Sequence, residues 1–374
     1  MINQSPRDTA CLEINLTAIY DNYIKLAKKT GPALCASVVK ADAYGLGLQK
    51  IIPILIKAGC KHFFVATIDE GIELRHTLQS FGCMDAYVFI LYGPIKQTLS
   101  DFLWYDLIPV LNNFYQIELW LSFSKQKEKK LKAALHLDTG MSRLGLMASE
   151  INKLITKYNL FNMDILLIMS HLACADVPEH SMNAKQLRLF NERLSDLSRI
   201  LSNPWKSLAA SSGIFLDKTY YYDLVRPGAA LWGINPTPSK PNPMATVVNL
   251  WAPVLQVHEI DTNGCVGYGA TRSFSKPKRL ATLALGYADG LLRSLSNQGV
   301  FWFKKWKLNV VGRISMDLVT VDIEDVPMDQ IHPGDMVEIM GLHHSVDQLA
   351  LEAGTIGYEI LTSLGQRLTR YYSI

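Results

Sequence analysis

Up to about residue 233, short apolar runs alternate with longer amphipathic stretches, and this alternation limits the fold more than any other feature of the chain. The apolar runs fall at Ala33–Val39, His62–Thr67, Ala86–Tyr92, Leu107–Leu111, Ala133–Asp138, Ile165–Ser170, Ser207–Ser211 and Ala229–Gly233. Strands this short and this apolar are buried on both faces, as in parallel sheets. Between them, stretches such as Gly47–Ala58, Ile95–Tyr105, Phe114–Phe123 and Asn183–Leu201 carry helical spacing. Asp69, ahead of Glu70-Gly71-Ile72-Glu73-Leu74-Arg75, is predicted to cap one of these helices. Eight strands alternating with helices predict a parallel (β/α)8 barrel. An open doubly wound sheet has the same alternation, because spacing does not show closure. No GxGxxG follows a strand, which disfavours a dinucleotide-binding version of that sheet.

The pattern breaks at Asn235-Pro236-Thr237-Pro238-Ser239-Lys240-Pro241-Asn242-Pro243. Proline at this density reads as a stiff linker. Beyond it, Val247–Ile260, Arg279–Leu285, Val300–Phe303, Leu308–Ile314, Leu318–Ile323 and Met336–Met340 are β-rich and separated by turn residues. A short helix is expected at Val346–Ala353. The chain therefore divides into a barrel domain at 1–240 and a mostly β domain at 241–374, the latter mainly antiparallel.

The net charge is +3, from 37 basic and 34 acidic residues, which is too balanced to argue for nucleic acid or a membrane surface. Residues 1–8 lack the apolar core of a secretory signal, and no apolar stretch is long enough to span a membrane. The 6 cysteines form no CxxC pair, so neither a zinc site nor a disulfide framework is expected, and a cytoplasmic location fits.

In a (β/α)8 barrel the chemistry sits at the C-terminal ends of the strands. Reading those ends gives Lys40 and Tyr44, Arg143, His171, Ser211 with Ser212, and Arg226. Singly, each has a plain explanation: a lysine where a strand meets water, a salt-bridge arginine, a hydrogen-bonded histidine, a serine turn. Together they suit one task. A lysine partly buried beside apolar residues loses its proton more easily and can condense with a carbonyl. Pyridoxal phosphate is the common carbonyl cofactor. Its phosphate wants hydroxyls and free N–H groups, available from Ser211, Ser212, Gly213 and Gly228. An amino-acid carboxylate wants an arginine fork. No residues have metal-ligand spacing.

The run Val38-Val39-Lys40-Ala41-Asp42-Ala43-Tyr44-Gly45 resembles the pyridoxal-phosphate motif of alanine racemases. The likeness continues, in order, through Leu137–Gly145, Ser170–Ala173, Val225–Gly228, Val266–Ala270, Val311–Asp317 and Thr355–Ile360, so it covers nearly the whole chain. It implies a homodimeric isomerase that makes D-alanine for peptidoglycan, with each site completed by the partner's β domain. Lys40 would hold the cofactor as a Schiff base and serve as one base. Tyr268, from the other subunit, would be the base on the opposite face. Tyr44, Ser211 and Gly228 would hold the phosphate, and Tyr358 would line that side and the entrance. Arg226 would face the pyridine nitrogen. An arginine does not readily release a proton, so that nitrogen would stay unprotonated and side reactions such as transamination would be limited. His171 would link Arg226 to Tyr268. Arg143 and Met316, through its backbone N–H, would orient the substrate carboxylate, and Asp317 would join them as a substrate-binding residue.

Three positions depart from the family. His136 stands where many members carry a carbamylated lysine that braces the arginine corresponding to Arg143. Ala210 replaces a frequent asparagine, and Leu46 a frequent histidine. A broad-specificity racemase acting on serine or other small amino acids is the nearest alternative. A barrel-fold decarboxylase would want a late cysteine, and none follows Cys265. A non-enzymatic cofactor carrier of the single-barrel type would lack the whole second domain.

Overall fold

The computed structural model describes residues 9–157, 163–201 and 203–374. Residues 1–8, read above for a signal, lie outside the described residues. The first strand, β1 (Cys11–Asn15), precedes a helix, α1 (Leu16–Thr30), which Asn15 caps by accepting the Ala18 N–H at 2.9 Å. The barrel follows. Its first wall is the broken strand β2 (Leu34–Cys35) and β3 (Ser37–Val38). Next come β4 (His62–Val65), β5 (Tyr87–Ile90), β6 (Ile108–Leu111), β7 (Leu131–His136), β8 (Met163–Met169), β9 (Trp205–Ser207) and β10 (Leu224–Val225). Neighbours from β3 to β9 pair in parallel, and β10 pairs in parallel with β2. Closure between β9 and β10 comes from Asp223 N–H to the Lys206 carbonyl at 3.1 Å and Arg226 N–H to the Ala209 carbonyl at 2.9 Å. The ring is therefore a (β/α)8 barrel and not an open sheet. Ala36, Phe64, Phe89, Ile108, Val110, Ala134, Leu167, Met169 and Leu224 fill its interior, with Phe64 and Phe89 stacked at 4.6 Å. That is the layered interior of a packed barrel, so small molecules meet it only at its rim.

Two local expectations were displaced. Ala229–Gly233 was expected as the eighth strand, but Ala229–Trp232 is a 3-10 helix and the strand lies earlier, at β10. Pro227 and Gly228 end the ladder, and the Ala230 N–H turns to the Ser211 hydroxyl at 3.2 Å instead of a neighbouring strand. The helix α2 (Ile68–Ser80) is capped by Thr67, not Asp69: Thr67 Oγ1 accepts the Glu70 N–H at 3.2 Å, and Glu70 returns to the Thr67 N–H at 3.2 Å. That is a capping box, in which the spacing of Thr and Glu decides the cap.

The second sheet is mostly antiparallel and is built on the long strand β11 (Val248–Ile260). Around β11 run β1, the strand Lys278–Leu283 and the strand Met336–Met340. The final strand, Thr369–Ser373, pairs in parallel with β1. The N-terminal strand is thus part of the later sheet. Two further helices, α3 (Val346–Ala353) and α4 (Gly357–Ser363), place Tyr358 beside the barrel rim. Among the described residues no helix is long and apolar enough to cross a membrane.

Candidate active site

Lys40 begins a short turn, Lys40–Gly45, at the end of the first barrel wall. Ala41, Asp42, Ala43 and Tyr44 all lie in the left-handed region, at φ 52–60°. Four consecutive non-glycine residues there are costly, about 1–2 kcal/mol each. The surroundings hold them. Glu70 Oε1 accepts the Ala41 N–H at 2.8 Å, and Asp42 Oδ1 accepts the Leu48 N–H at 2.6 Å. Tyr372 donates to the Leu46 carbonyl at 3.0 Å, and Arg370 donates to the Gly365 and Leu364 carbonyls at 2.9 and 3.1 Å beside it. Gly45 has φ +80°, and a Cβ there would sit 2.7 Å from the Leu361 carbonyl oxygen, so a side chain is doubly disfavoured. The Lys40 ammonium is half-buried; burial first, then the charge of Arg143, lowers its pKa, while Glu70 opposes them.

Beside the lysine lies a small hydroxyl-rich cradle. Ser211 Oγ accepts the Gly228 N–H at 3.0 Å and the Ala230 N–H at 3.2 Å, which leaves its own proton to donate elsewhere. A Cβ on Gly228 would meet Tyr44 Oη at 2.4 Å, so glycine is what lets backbone and phenol come together. Tyr44 is buried, its ring 5.8 Å from Trp232 and 6.0 Å from Tyr358. Burial raises the pKa of Tyr44 and keeps it a hydrogen-bond donor.

Arg226 is 3% exposed and has no carboxylate partner among the described residues. Its guanidinium donates to Ser207 Oγ and, at 2.5 Å, to the Ser170 carbonyl. Burial lowers its pKa to about 9, which leaves it cationic at neutral pH. The second nitrogen also lies 3.5 Å from His171 Nδ1. His171 is neutral, its pKa pushed down to about 3 by burial and then by Arg226 and Arg143. Facing a cationic donor, Nδ1 keeps its lone pair and the ring proton sits on Nε2.

His136 ends β7 with its Nδ1 2.8 Å from Asn112 Oδ1. Asn112 Nδ2 is committed to the Leu91 and Val110 carbonyls, each at 3.0 Å, so its Oδ1 must accept and His136 Nδ1 must donate. Nε2 of His136 is then an acceptor. Burial, then Arg226 and Arg143, lower the pKa of His136 to about 4 from 6.5. Above about pH 6.5 the histidine is neutral in both folded and unfolded chains and adds no slope. Between about pH 6.5 and 4 only the unfolded chain takes up the proton, so stability falls as pH falls, by up to about 1.4 kcal/mol per pH unit. His136→Gln is accordingly expected to lose less stability than the parent between pH 6.5 and 4.5. Denaturant midpoints at the two pH values measure this, and equal losses would remove His136 from the acid response.

Lys40, Tyr44, His171, Ser211, Arg226 and Gly228 therefore share one rim, with Tyr358 over it. Arg143 is exposed, in a loop shaped by Asp138, which accepts the Gly140 and Ser142 N–H groups at 2.8 and 3.1 Å. Tyr268 (74% exposed) and Met316 (53%) belong to the second sheet's loops. Asp317 pairs with Arg367 at 2.8 Å. Among the described residues, no hydrogen bond, ion pair or ring contact ties Tyr268, Met316 or Asp317 directly to Lys40. Sequence reasoning missed two participants. Glu70 was legible as the fourth residue of the Thr67 capping box; Asn112, which fixes the His136 tautomer, had no sequence signal.

The rim fits a carbonyl cofactor that carries a phosphate. An amine with a lowered pKa faces hydroxyl donors, a backbone turn free of Cβ, and a buried arginine that lacks an anion. Among the described residues no His/Cys/Asp/Glu group is arranged to hold a metal.

Comparisons with known proteins agree with this geometry. Residues 14–236 match the family described as alanine racemase, N-terminal domain, and residues 247–372 match alanine racemase, C-terminal domain. An alanine racemase of Rhodospirillum rubrum is 45% identical over 98% of this chain and 96% of its own. One from Brucella abortus is 41% identical over 99% of this chain and 96% of its own. A crystal structure of alanine racemase from Bartonella henselae, with covalently bound pyridoxal phosphate, has a TM-score of 0.92 at 41% identity and covers 98% of this chain and 100% of that one. The biosynthetic alanine racemase from Pseudomonas aeruginosa has a TM-score of 0.89 at 30% identity, covering 98% and 100%.

Proposed function

As the chain belongs to the alanine racemase family, we propose that Lys40 and Tyr268 are its two bases, on opposite faces of the substrate, and that Tyr268 comes from a second subunit. The protein is a pyridoxal-phosphate-dependent isomerase that interconverts L- and D-alanine. Bound at Lys40, the cofactor supplies the electron-withdrawing ring that acidifies the Cα–H bond.

The residues divide the remaining work. The Lys40 amine, which burial keeps easy to deprotonate, has what a base requires. It removes or returns the Cα proton on one face, and Tyr268 does so on the other. No turning of the substrate is then needed. The Nε2–H of His171 supports a phenolate oxygen of Tyr268 by donating to it. Arg226, fixed by Ser207 and Ser170, would face the cofactor's pyridine nitrogen. Ser211, Tyr44, the Gly228 segment and Tyr358 hold the phosphate. Arg143 and the Met316 N–H hold the substrate carboxylate. Asp317, neutralised by Arg367, acts by fixing the loop that carries Met316.

The single observation behind this reading is a lysine of lowered pKa on the same rim as Arg226, which is buried and, among the described residues, without a carboxylate partner. The exposure of Tyr268 and Met316, with no contact to Lys40 within the chain among the described residues, leaves both free to complete a partner's site in a two-fold dimer. Within the division at about residue 240, the barrel then carries the cofactor, and the β domain, to which β1 contributes a strand, carries the partner-facing base. A cytoplasmic site supplying D-alanine for peptidoglycan suits cysteines without CxxC pairing. Mixing the protein with L-alanine in deuterated water is expected to drive optical rotation to zero with deuterium entering Cα. Loss of rotation without Cα deuteration would rule out proton transfer by two bases.

A further inference from the structure

We propose that Glu70 is the positioning residue of Lys40, holding the left-handed turn at its first peptide and supplying the counter-charge to the lysine nitrogen. This inference rests on the reading of Lys40 as the cofactor lysine. One carboxylate oxygen of Glu70 takes the Ala41 N–H at 2.8 Å, the peptide group directly after Lys40. The other takes the Ala66 N–H at 2.7 Å and the Thr67 N–H at 3.2 Å, at the end of the neighbouring barrel strand and the start of α2. Glu70 thus ties the ends of two adjacent barrel walls together through three backbone donors. An unpaired N–H at Ala41 would leave the turn without its first anchor, and the lysine side chain would lose its aim.

The charge matters separately from the geometry. The groups acting on Lys40 are Arg143 and Glu70, and Lys40 in turn acts on His171. His171 is neutral and Arg143 is cationic, so Glu70 is the one anion in that set. Without it, the protonated nitrogen at Lys40 is less favoured. Glu70→Gln keeps an oxygen that can accept the Ala41 N–H but removes the charge. Glu70→Asp keeps the charge on a shorter arm. Glu70→Ala removes both.

The test uses the full-length holoenzyme and its visible absorbance. The pH midpoint of the band of the Lys40-bound cofactor is expected to move down in Glu70→Gln and in Glu70→Ala, and to return toward the parental value in Glu70→Asp. Glu70→Ala is also expected to lose cofactor on dialysis about tenfold more readily, from the missing charge-assisted bond. A melting temperature on each variant shows that it is folded at the pH range used. Borohydride reduction followed by peptide mapping is run on the same samples. If the pyridoxyl group maps to another lysine, the assigned role of Lys40 fails. If it maps to Lys40 while the midpoint is unmoved in both Glu70→Gln and Glu70→Ala, or moves equally in Glu70→Asp, the role of Glu70 is overturned.

Discussion

Tyr268→Phe is expected to slow racemisation by about 10²–10⁴-fold in each direction while leaving the cofactor attached at Lys40. The size follows from losing a positioned acid and base. The symmetry follows because the same oxygen gives a proton in one direction and takes it in the other. The phenyl ring keeps the shape of the side chain, and Tyr268 is 74% exposed within its own chain, so the fold has little to lose. Its 3-10 turn is backed by Gly269, where a Cβ would lie 2.8 Å from an Arg313 nitrogen, and that packing is untouched by the change. Initial rates from L-alanine and from D-alanine measure the effect, with the visible band as the control. Near-parental turnover both ways would remove Tyr268 from the chemistry.

Lys40→Ala is expected to remove the covalent link and, with it, racemisation to the limit of detection. Alanine retains the Ala41 N–H that Glu70 accepts, so the turn is expected to persist and the variant to fold. Sharing of sites makes a sharper forecast. Mixing Lys40→Ala with Tyr268→Phe under subunit exchange gives heterodimers in which one site carries both defects and the other neither. Activity is then expected to return, to about half per heterodimer, because two-fold interfaces are built reciprocally. Native mass spectrometry verifies the exchange; verified heterodimers without activity would mean that both bases come from one chain.

The barrel and the sheet were legible because their signals are local. Apolar runs such as Phe63-Phe64-Val65 and Val88-Phe89-Ile90 have no polar face to confuse with a surface strand. Lys40, His171 and Ser211 could be read because each sits just past such a run. What escaped has a physical reason in each case. Leu224–Val225 is only 2 residues long and comes soon after three tyrosines, whereas Ala229–Gly233 carries the longer apolar run. The left-handed turn is invisible because Ala41-Asp42-Ala43-Tyr44 contains no glycine; it is held at the Ala41 N–H by Glu70 and at the Gly45 and Leu46 carbonyls by Arg370 and Tyr372, residues distant in sequence. β1 could not be placed because its partners, β11 and the last strand, lie at the other end of the chain.

That placement of β1 has a consequence for how the protein is made. Thr9 and Thr369 are 360 positions apart, yet their hydroxyls meet at 2.9 Å. Leu12 and Ile14 are fully buried, and on that edge β1 pairs with Thr369–Ser373 in register, Leu12 opposite Arg370 and Ile14 opposite Tyr372. Both partners of β1 are synthesised long after it, β11 first and Thr369–Ser373 later still, so β1 waits with unpaired edges, able to pair with the wrong strand of a neighbouring nascent chain. The same late strand carries Arg370, which donates to the Gly45 carbonyl at 3.5 Å, and Tyr372, which donates to the Leu46 carbonyl at 3.0 Å, at the end of the turn after Lys40. A chain without Thr369–Ser373 would therefore lose both the seam that holds β1 in the second sheet and the support behind the turn at Lys40, so that turn gains its full bracing only once this distant strand has docked.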